Sequence, residues 1–412
     1  MSPFRKALLL AAFGFVASCQ GCLGCKSPVD ANGSQLNSSC QAVQPSLQAQ
    51  KLDILFVIDN SNSMAEEQAG VARELTAFVD EIRKGGGVST DFRIGVITTS
   101  VYQHTLINGV EYYKEFPQQS GRLQAVPEPS ADGGVVLGTG TERVLSGEDP
   151  DLVSKFARLV QQGTSGSGQE TPFEAVRLAL LEQTKTPLEQ GGNGGFLRDG
   201  ARLLVVVLTD EDDCSEPTRP PKVHVGDNPS VDDCHEQGNS LGTVSEYNRL
   251  FTQELKDSSG NSKEVVWTAI APVGRGETKP AMAVLDGMQV RNIDCPTSNE
   301  PGIRHRQMAE MFFSSLINLD SICKDSYRDT LTNIAGLANI SQVVSVANMP
   351  DPRMIQVSIT RRDGNVQTCT LGNGLDKFEA GTGGAAGRLF FGASCKRRAD
   401  DKILDIRLLC AT

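Results

Sequence analysis

Along the chain, runs that are apolar at nearly every position alternate with stretches in which apolar residues recur every three or four positions. Ile54 to Ile58 has no polar interruption, and Arg202 to Asp210 and Glu264 to Ala271 have much the same character. Such runs predict strands buried on both faces, as in the middle of a parallel sheet. Asp91 to Thr98 predicts another strand of this set, and Ser341 to Val346 the last. Between them, Glu66 to Lys84 puts Val71, Leu75, Phe78, Val79 and Ile82 on one helical face, and Gly85, Gly86 and Gly87 stop that helix. Pro172 can open a second amphipathic helix running to Leu180, and Val244 to Lys256 and Tyr327 to Ala338 predict two more. Strand alternating with helix predicts an α/β fold with a doubly wound, mostly parallel sheet. From 347 to 412 the pattern changes. Met354 to Thr360, Gly387 to Phe391 and Lys402 to Leu409 read as short strands between Gly-rich turns, a small β module in which a core alone is marginal and disulfides are expected.

The main part, 51–346, carries three inserts at about 101–150, 211–243 and 274–325. All three leave from the C-terminal ends of strands expected to be parallel, the edge at which open parallel sheets bind ligands. The first insert reads as irregular. Its Tyr102, Tyr112 and Tyr113 read as local packing, with ligand contact as the alternative. His224 and His235 in the second insert lack metal-ligand spacing and read as surface histidines.

Residues 1–18 form a targeting segment. Arg5 and Lys6 precede the 11-residue apolar run Ala7 to Ala17, shorter than the ~20 residues a spanning helix needs. The run ends at Val16-Ala17-Ser18-Cys19, which resembles the lipobox of bacterial lipoproteins. The resemblance implies cleavage before Cys19, acylation of its thiol, and, with Gln20 following, an outer-membrane address. An ordinary secretory peptide cut elsewhere is the other reading. Residues 26–50, rich in Ser, Asn, Gln and Ala, complete a flexible tether over 19–50.

The 412 residues are 39% hydrophobic and 22% charged, enough for one large domain with an appendage. A net charge of -11 argues against nucleic acid as a partner and against docking on anionic lipid. Of 11 cysteines, setting Cys19 aside leaves an even number, which suits an oxidising compartment. Proximity suggests Cys214 with Cys234 and Cys295 with Cys323. If so, an odd number of bridges joins Cys22, Cys25 and Cys40 to Cys369, Cys395 and Cys410. Cys22-x-x-Cys25 as a redox or zinc half-site is the competing reading, without a partner motif.

Candidate chemistry gathers where the strands end. Asp59-x-Ser61-x-Ser63 follows the first strand, Gly166-Ser-Gly-Gln-Glu-Thr171 precedes the second helix, and Asp210 ends the strand from Arg202. A carboxylate and two hydroxyls one residue apart can turn through a tight loop onto one hard cation. Together, in this chain order, these residues resemble the metal-ion-dependent adhesion site (MIDAS) of von Willebrand factor A (vWA) domains. The resemblance implies a Rossmann-like vWA fold and a divalent cation, Mg²⁺, Ca²⁺ or Mn²⁺. Ser61, Ser63 and Thr171 would bind directly, with Asp59 and Asp210 acting mainly through water. A vacant coordination position would then accept a partner's carboxylate. The family usually has Gly after its last Asp, whereas Glu211, Asp212 and Asp213 follow here. They read as a solvated acidic loop or as an additional cation site.

A lipobox, a vWA-like body and a cysteine-rich tail resemble lipid-anchored surface adhesins of gliding myxobacteria. This implies an extracellular substratum or acidic surface ligand, envelope or outer-membrane proteins of a motility complex, and a membrane reached through the N-terminal lipid. An envelope assembly protein facing the periplasm is the alternative. No Ser/His/Asp or Cys/His arrangement and no Gly-rich phosphate loop points to an enzyme, and Glu211 is the one candidate base for a metal-dependent hydrolase.

Overall fold

The computed structural model describes residues 36–42, 51–84, 91–131, 134–225, 241–275 apart from 259 and 261, and most of 282–411 with gaps of up to six residues. Its first strand, β1 (Leu36–Ala42), pairs antiparallel with the C-terminal strand Ile403–Ala411, so part of the expected tether belongs to a sheet. The expected targeting segment 1–18, Cys19, Cys22, Cys25 and the glycines 85–87 lie outside the described residues.

A mixed α/β body follows. In order it contains β2 (Leu52–Ile58), α1 (Ala65–Lys84), β3 (Phe92–Thr98), the hairpin β4 (Tyr102–Ile107) and β5 (Val110–Glu115), β6 (Leu145–Ser146), α2 (Leu152–Leu159) and α3 (Pro172–Arg177). It continues with β7 (Arg202–Leu208), α4 (Val244–Arg249), β8 (Val265–Ala271), α5 (Ile303–Phe312), β9 (Leu319–Ser321) and α6 (Arg328–Ala338). Six strands make one sheet in the order β9-β8-β7-β2-β3-β6. Five are parallel and only the two-residue edge strand β6 is antiparallel.

The unbroken apolar strands are explained by helices on both faces. Successive strand side chains point to opposite sides. Ile54, Phe56 and Ile58 of β2 therefore join α1, α2 and α6 in one core, while Leu55 and Val57 join α3, α4 and α5 in another. Phe56 sits edge-on to Phe78 of α1 and Phe156 of α2, with ring centroids 5.4 and 5.0 Å apart. On the other face Trp267 of β8 meets Phe173 at 5.4 Å and stacks on Phe251 at 5.3 Å. Burying each such side chain is worth about 1.5–3 kcal/mol.

Two expectations need correction. Residues 101–150 are not irregular throughout: they hold the β4–β5 hairpin and β6. Val343–Val346 (β10) is not the last strand of the parallel sheet, whose edge is instead β9, within the stretch assigned to the third insert. With β11 (Ile355–Thr360), β12 (Val366–Leu371), β13 (Gly374–Glu379), β14 (Gly387–Phe391) and β15 (Ile403–Ala411), β10 joins a second sheet, ordered β1-β15-β11-β12-β13-β14-β10. This sheet has its own core, including Val344, Val346, Val357, Leu389 and Phe391. The two bodies meet at Ser262, whose hydroxyl donates to Glu379 Oε1 at 3.2 Å and whose carbonyl accepts from Arg388.

Cys295 and Cys323 are bonded, with Cα atoms 5.4 Å apart. Cys214 is also disulfide-bonded, and Cys234, its expected partner, lies outside the described residues. Cys369 pairs with Cys395 inside the tail, which excludes three bridges between the chain ends. Cys40 and Cys410 both fall on the paired strands β1 and β15.

Candidate metal centre

The C-terminal ends of β7, β2 and β3 lie side by side, because Ile58 is in register with Leu208 on one side and Thr98 on the other. Backbone bonds carry the ladder one residue further, from Asp59 N–H to Leu208 O (2.9 Å) and from Thr99 N–H to Ile58 O (3.1 Å). The chain runs from β2 to β3 on one side, then returns to β7 on the other. Asp59 and Asp210 therefore follow the two strands between which the winding reverses, the crevice where open α/β sheets bind ligands.

Asp59 is buried and held on both oxygens. Oδ1 accepts the Ser61 N–H at 2.7 Å, and Oδ2 accepts the Thr209 hydroxyl at 2.7 Å. Its backbone carbonyl accepts from Gln68 Nε2 at 2.8 Å, and the same amide donates to Gly163 O at 2.9 Å, tying α1 to the neighbouring loop. The hydroxyls of Ser61 and Ser63 are 3.1 Å apart; Ser61 is buried and Ser63 exposed. Asp210 is buried beside them, with the Ser63 hydroxyl offsetting part of its desolvation, and its Oδ1 has no hydrogen-bond partner.

Thr171 comes from a loop stitched to the same strand ends. Gly166 N–H donates to Asn60 O (2.8 Å), the Ser100 hydroxyl to Asn60 Oδ1 (2.8 Å), and Ser167 N–H to Ser100 Oγ (2.8 Å). A Cβ at Gly166 would collide with Asn60 and Ser100, so the close approach requires glycine there. Thr171 stands before Pro172 but does not cap α3; its hydroxyl donates to Thr99 O at 2.8 Å. The helix is capped by others, since Phe173 N–H donates to Asp213 Oδ1 (3.0 Å) and Glu174 N–H to Ser215 Oγ (2.9 Å).

The acidic run after Asp210 is buried, not solvated. Asp212 accepts the Arg304 N–H at the start of α5 (3.0 Å to Oδ1), and Asp213 accepts the Arg304 guanidinium (2.9 Å) as well as capping α3. Both accept hydrogen bonds at helix N-termini, where negative charge is favoured. Glu211 is buried, and the charges of Asp210, Glu170 and Asp59 act on it.

One residue at the site that the sequence pattern left out is Glu170. It is fully buried and both side-chain oxygens lack hydrogen-bond partners, although Asp59, Asp210 and the Thr99 hydroxyl are its neighbours. A charged residue immediately before the candidate Thr171 was the available signal. Burial, and then neighbouring carboxylates, push Glu170, Asp210 and Glu211 well above the ordinary carboxylate range. Burial also raises Asp59, against the bonds from Ser61 and Thr209.

This donor set fits a hard divalent cation. Hydroxyl and carboxylate oxygens suit Mg²⁺, Ca²⁺ or Mn²⁺, and a cation would relieve the repulsion among the buried acids and use the orphaned Asp210 Oδ1. Among the described residues no three His, Cys, Asp or Glu side chains converge as a ready metal cage, so hydroxyls and water would have to complete the coordination. Of the other candidates, Tyr102 is buried and its hydroxyl accepts the Glu216 N–H at 2.8 Å, whereas Tyr112 and Tyr113 are exposed on β5. His224 is buried, contrary to expectation, and His235 lies outside the described residues. Among the described residues no helix is long and apolar enough to cross a membrane.

No protein-family model matches the sequence, and no curated protein matches it. Solved structures similar to it include proximal thread matrix protein 1 from the mussel byssus (12% identity, TM-score 0.34, 74% of this chain and 51% of that one). They also include the pilus adhesin SpaC from Lactobacillus rhamnosus GG (12%, 0.33, 89% and 40%) and the human COPII-coat protein Sec24c (9%, 0.33, 88% and 43%). The chain spans about half or less of the length of each, and at these TM-scores the likenesses carry no reading of function.

Proposed function

We propose that the parallel-sheet body is a vWA-type module that binds a partner through a divalent cation, in an exported lipoprotein tethered at Cys19 and acting as a surface adhesin. The observation that carries this reading is the meeting, at the crevice between β2 and β7, of Asp59, Ser61, Ser63 and Asp210, with the Thr171 loop stitched to the same strand ends. Ser61, Ser63 and Thr171 would supply hydroxyl oxygens, and Asp59 and Asp210 the balancing charge. Ser63 is exposed, so a partner's carboxylate would approach from its side. Export and lipidation rest on the targeting segment and the lipobox-like Val16 to Cys19, and gliding motility on the likeness to myxobacterial adhesins.

The test is attachment of beads carrying the protein to a solid substratum, with Mg²⁺ or Ca²⁺, with chelator, and with Asp59→Ala. Cation-dependent attachment that the variant loses is the expected result. Equal attachment in every arm, from folded protein, would sink the metal-bridged adhesin. Attachment in no arm would move the reading to an envelope partner.

A further inference from the structure

We propose that the first insert gives the candidate metal centre an apolar rim, formed by Val136 and Leu137 and by Tyr112 and Tyr113 of the β4–β5 hairpin, and that this rim selects a protein partner whose carboxylate stands among apolar side chains. The inference rests on the reading of the centre as a cation site that accepts a partner's carboxylate, and adds what surrounds that carboxylate.

The insert is fastened to both loops that carry the candidate hydroxyl ligands. Gln119 Oε1 accepts from Asn60 Nδ2 at 3.2 Å and from Thr98 Oγ1 at 3.1 Å, so the stretch after β5 reaches the turn between Asp59 and Ser61. His104 N–H donates to Gln169 Oε1 at 2.8 Å, and the Ser167 hydroxyl to Tyr102 O at 2.9 Å, which ties β4 to the loop that ends in Thr171. Val136 and Leu137 stand at the end of a two-residue strand, Val135–Val136, paired with Glu128–Pro129. Leu137 lies against Gly163, where an added Cβ would be 2.8 Å from Leu137 Cδ1. Gly163 O in turn shares the Gln68 amide with Asp59 O, at 2.9 and 2.8 Å.

The same insert holds most of the exposed apolar surface. Among the described residues, Val110, Tyr112, Tyr113, Val136 and Leu137 are five of the eight large apolar side chains left most exposed, each by 43% or more. Exposed apolar residues scattered singly need no explanation, but their concentration in one insert fastened to a binding site does. Strand β5 lies at the edge of its sheet and is exposed at every position. Its charges are occupied locally: Glu111 by His104 Nε2 at 2.8 Å, Glu115 by the Tyr113 hydroxyl, and Lys114 above the Phe116 ring at 4.3 Å. The Tyr113 ring rests edge-on against His104, with centroids 4.8 Å apart. What the rim offers is therefore tyrosine rings and aliphatic side chains, the surface that protein interfaces favour at their centre. A sugar could stack on the tyrosines, but Val110, Val136 and Leu137 give its hydroxyls no partner. The net charge of -11 repels densely charged polyanions and favours a single carboxylate in an apolar setting.

The deciding experiment places beads carrying the full-length protein on monolayers of equal carboxylate density, diluted with either methyl-terminated or hydroxyl-terminated chains, in Mg²⁺ and in chelator. The comparison is the triple variant Tyr112→Ser, Tyr113→Ser, Leu137→Asn, whose exposed positions leave both cores of the body intact and whose folding circular dichroism checks. The expected result is chelator-sensitive attachment about tenfold greater on the methyl-diluted surface, as burial of one or two such side chains implies. The variant should lose that preference while keeping its chelator-sensitive attachment to the hydroxyl-diluted surface. Equal chelator-sensitive attachment of the wild type to both surfaces, or a preference for hydroxyl, would overturn the rim and leave the proposed function standing. A methyl preference that survives in the variant, or that chelator does not touch, would also overturn it. No cation-dependent attachment to either surface would overturn the proposed function and the rim together.

Discussion

At the scale of single residues, the acids after Asp210 show what local sequence could not convey. Asp212 and Asp213 are adjacent to a candidate ligand and invite the same role, yet each is used by a helix N-terminus. Their partner Arg304 lies 91 or 92 positions further on, and only the tertiary fold brings it there. The Arg304–Asp213 pair is nearly dry, with 10% and 0% of the side chains exposed. Replacing Arg304 by Ala would leave a buried carboxylate uncompensated, so Arg304→Ala is expected to cost about 3–5 kcal/mol. Asp213→Asn in the same chain should return part of that loss. Urea unfolding of the single and double variants measures both; a cost below 1 kcal/mol would mean that water reaches Asp213. Asp59, Ser61 and Ser63 were legible because strand and ligands are contiguous. Glu170 was not, because its role depends on Asp59 and Asp210 being brought to it.

Among elements, legibility followed length and periodicity. The strands β2, β3, β7 and β8 stand out because burial on both faces removes polar positions, and α1 because its apolar residues repeat over 20 residues. Strand β9, three residues long, gives no periodic signal. The β4–β5 hairpin did carry one: Asn108-Gly109, both at positive φ, is a dipeptide suited to a two-residue hairpin turn. The third insert is positioned by covalent and polar links together. The Cys295–Cys323 bridge ties it beside β9, Gly302 N–H donates to Pro272 O at 2.8 Å, and Arg304 then reaches Asp212. Closing this 28-residue separation is worth about 3–4 kcal/mol by the loop-entropy relation. Cys295→Ala with Cys323→Ala should lose that much stability in thermal or urea unfolding. A loss under 1 kcal/mol would show that packing alone holds the insert.

For the whole molecule, the sequence pattern put a boundary at the wrong strand. Val343–Val346 has the apolar character of a parallel-sheet strand, but Val343, Val344 and Val346 are buried in the second sheet, against β14. The β-branched pattern states that a strand will be buried; it does not state in which sheet. A fragment covering 51–338 keeps all six strands of the first sheet and the helices on both faces. One covering 51–346 adds a strand stripped of its partner, an unpaired apolar edge of the kind that recruits other chains. The shorter fragment is therefore expected to be monomeric by size-exclusion chromatography and to unfold cooperatively, and the longer one to self-associate. If only the longer fragment folded, β10 would be needed by the first body and the two cores would be one cooperative unit. The contacts between the bodies argue otherwise, since those at Ser262 are polar and neither apolar core of the first body shares a residue with that of the second.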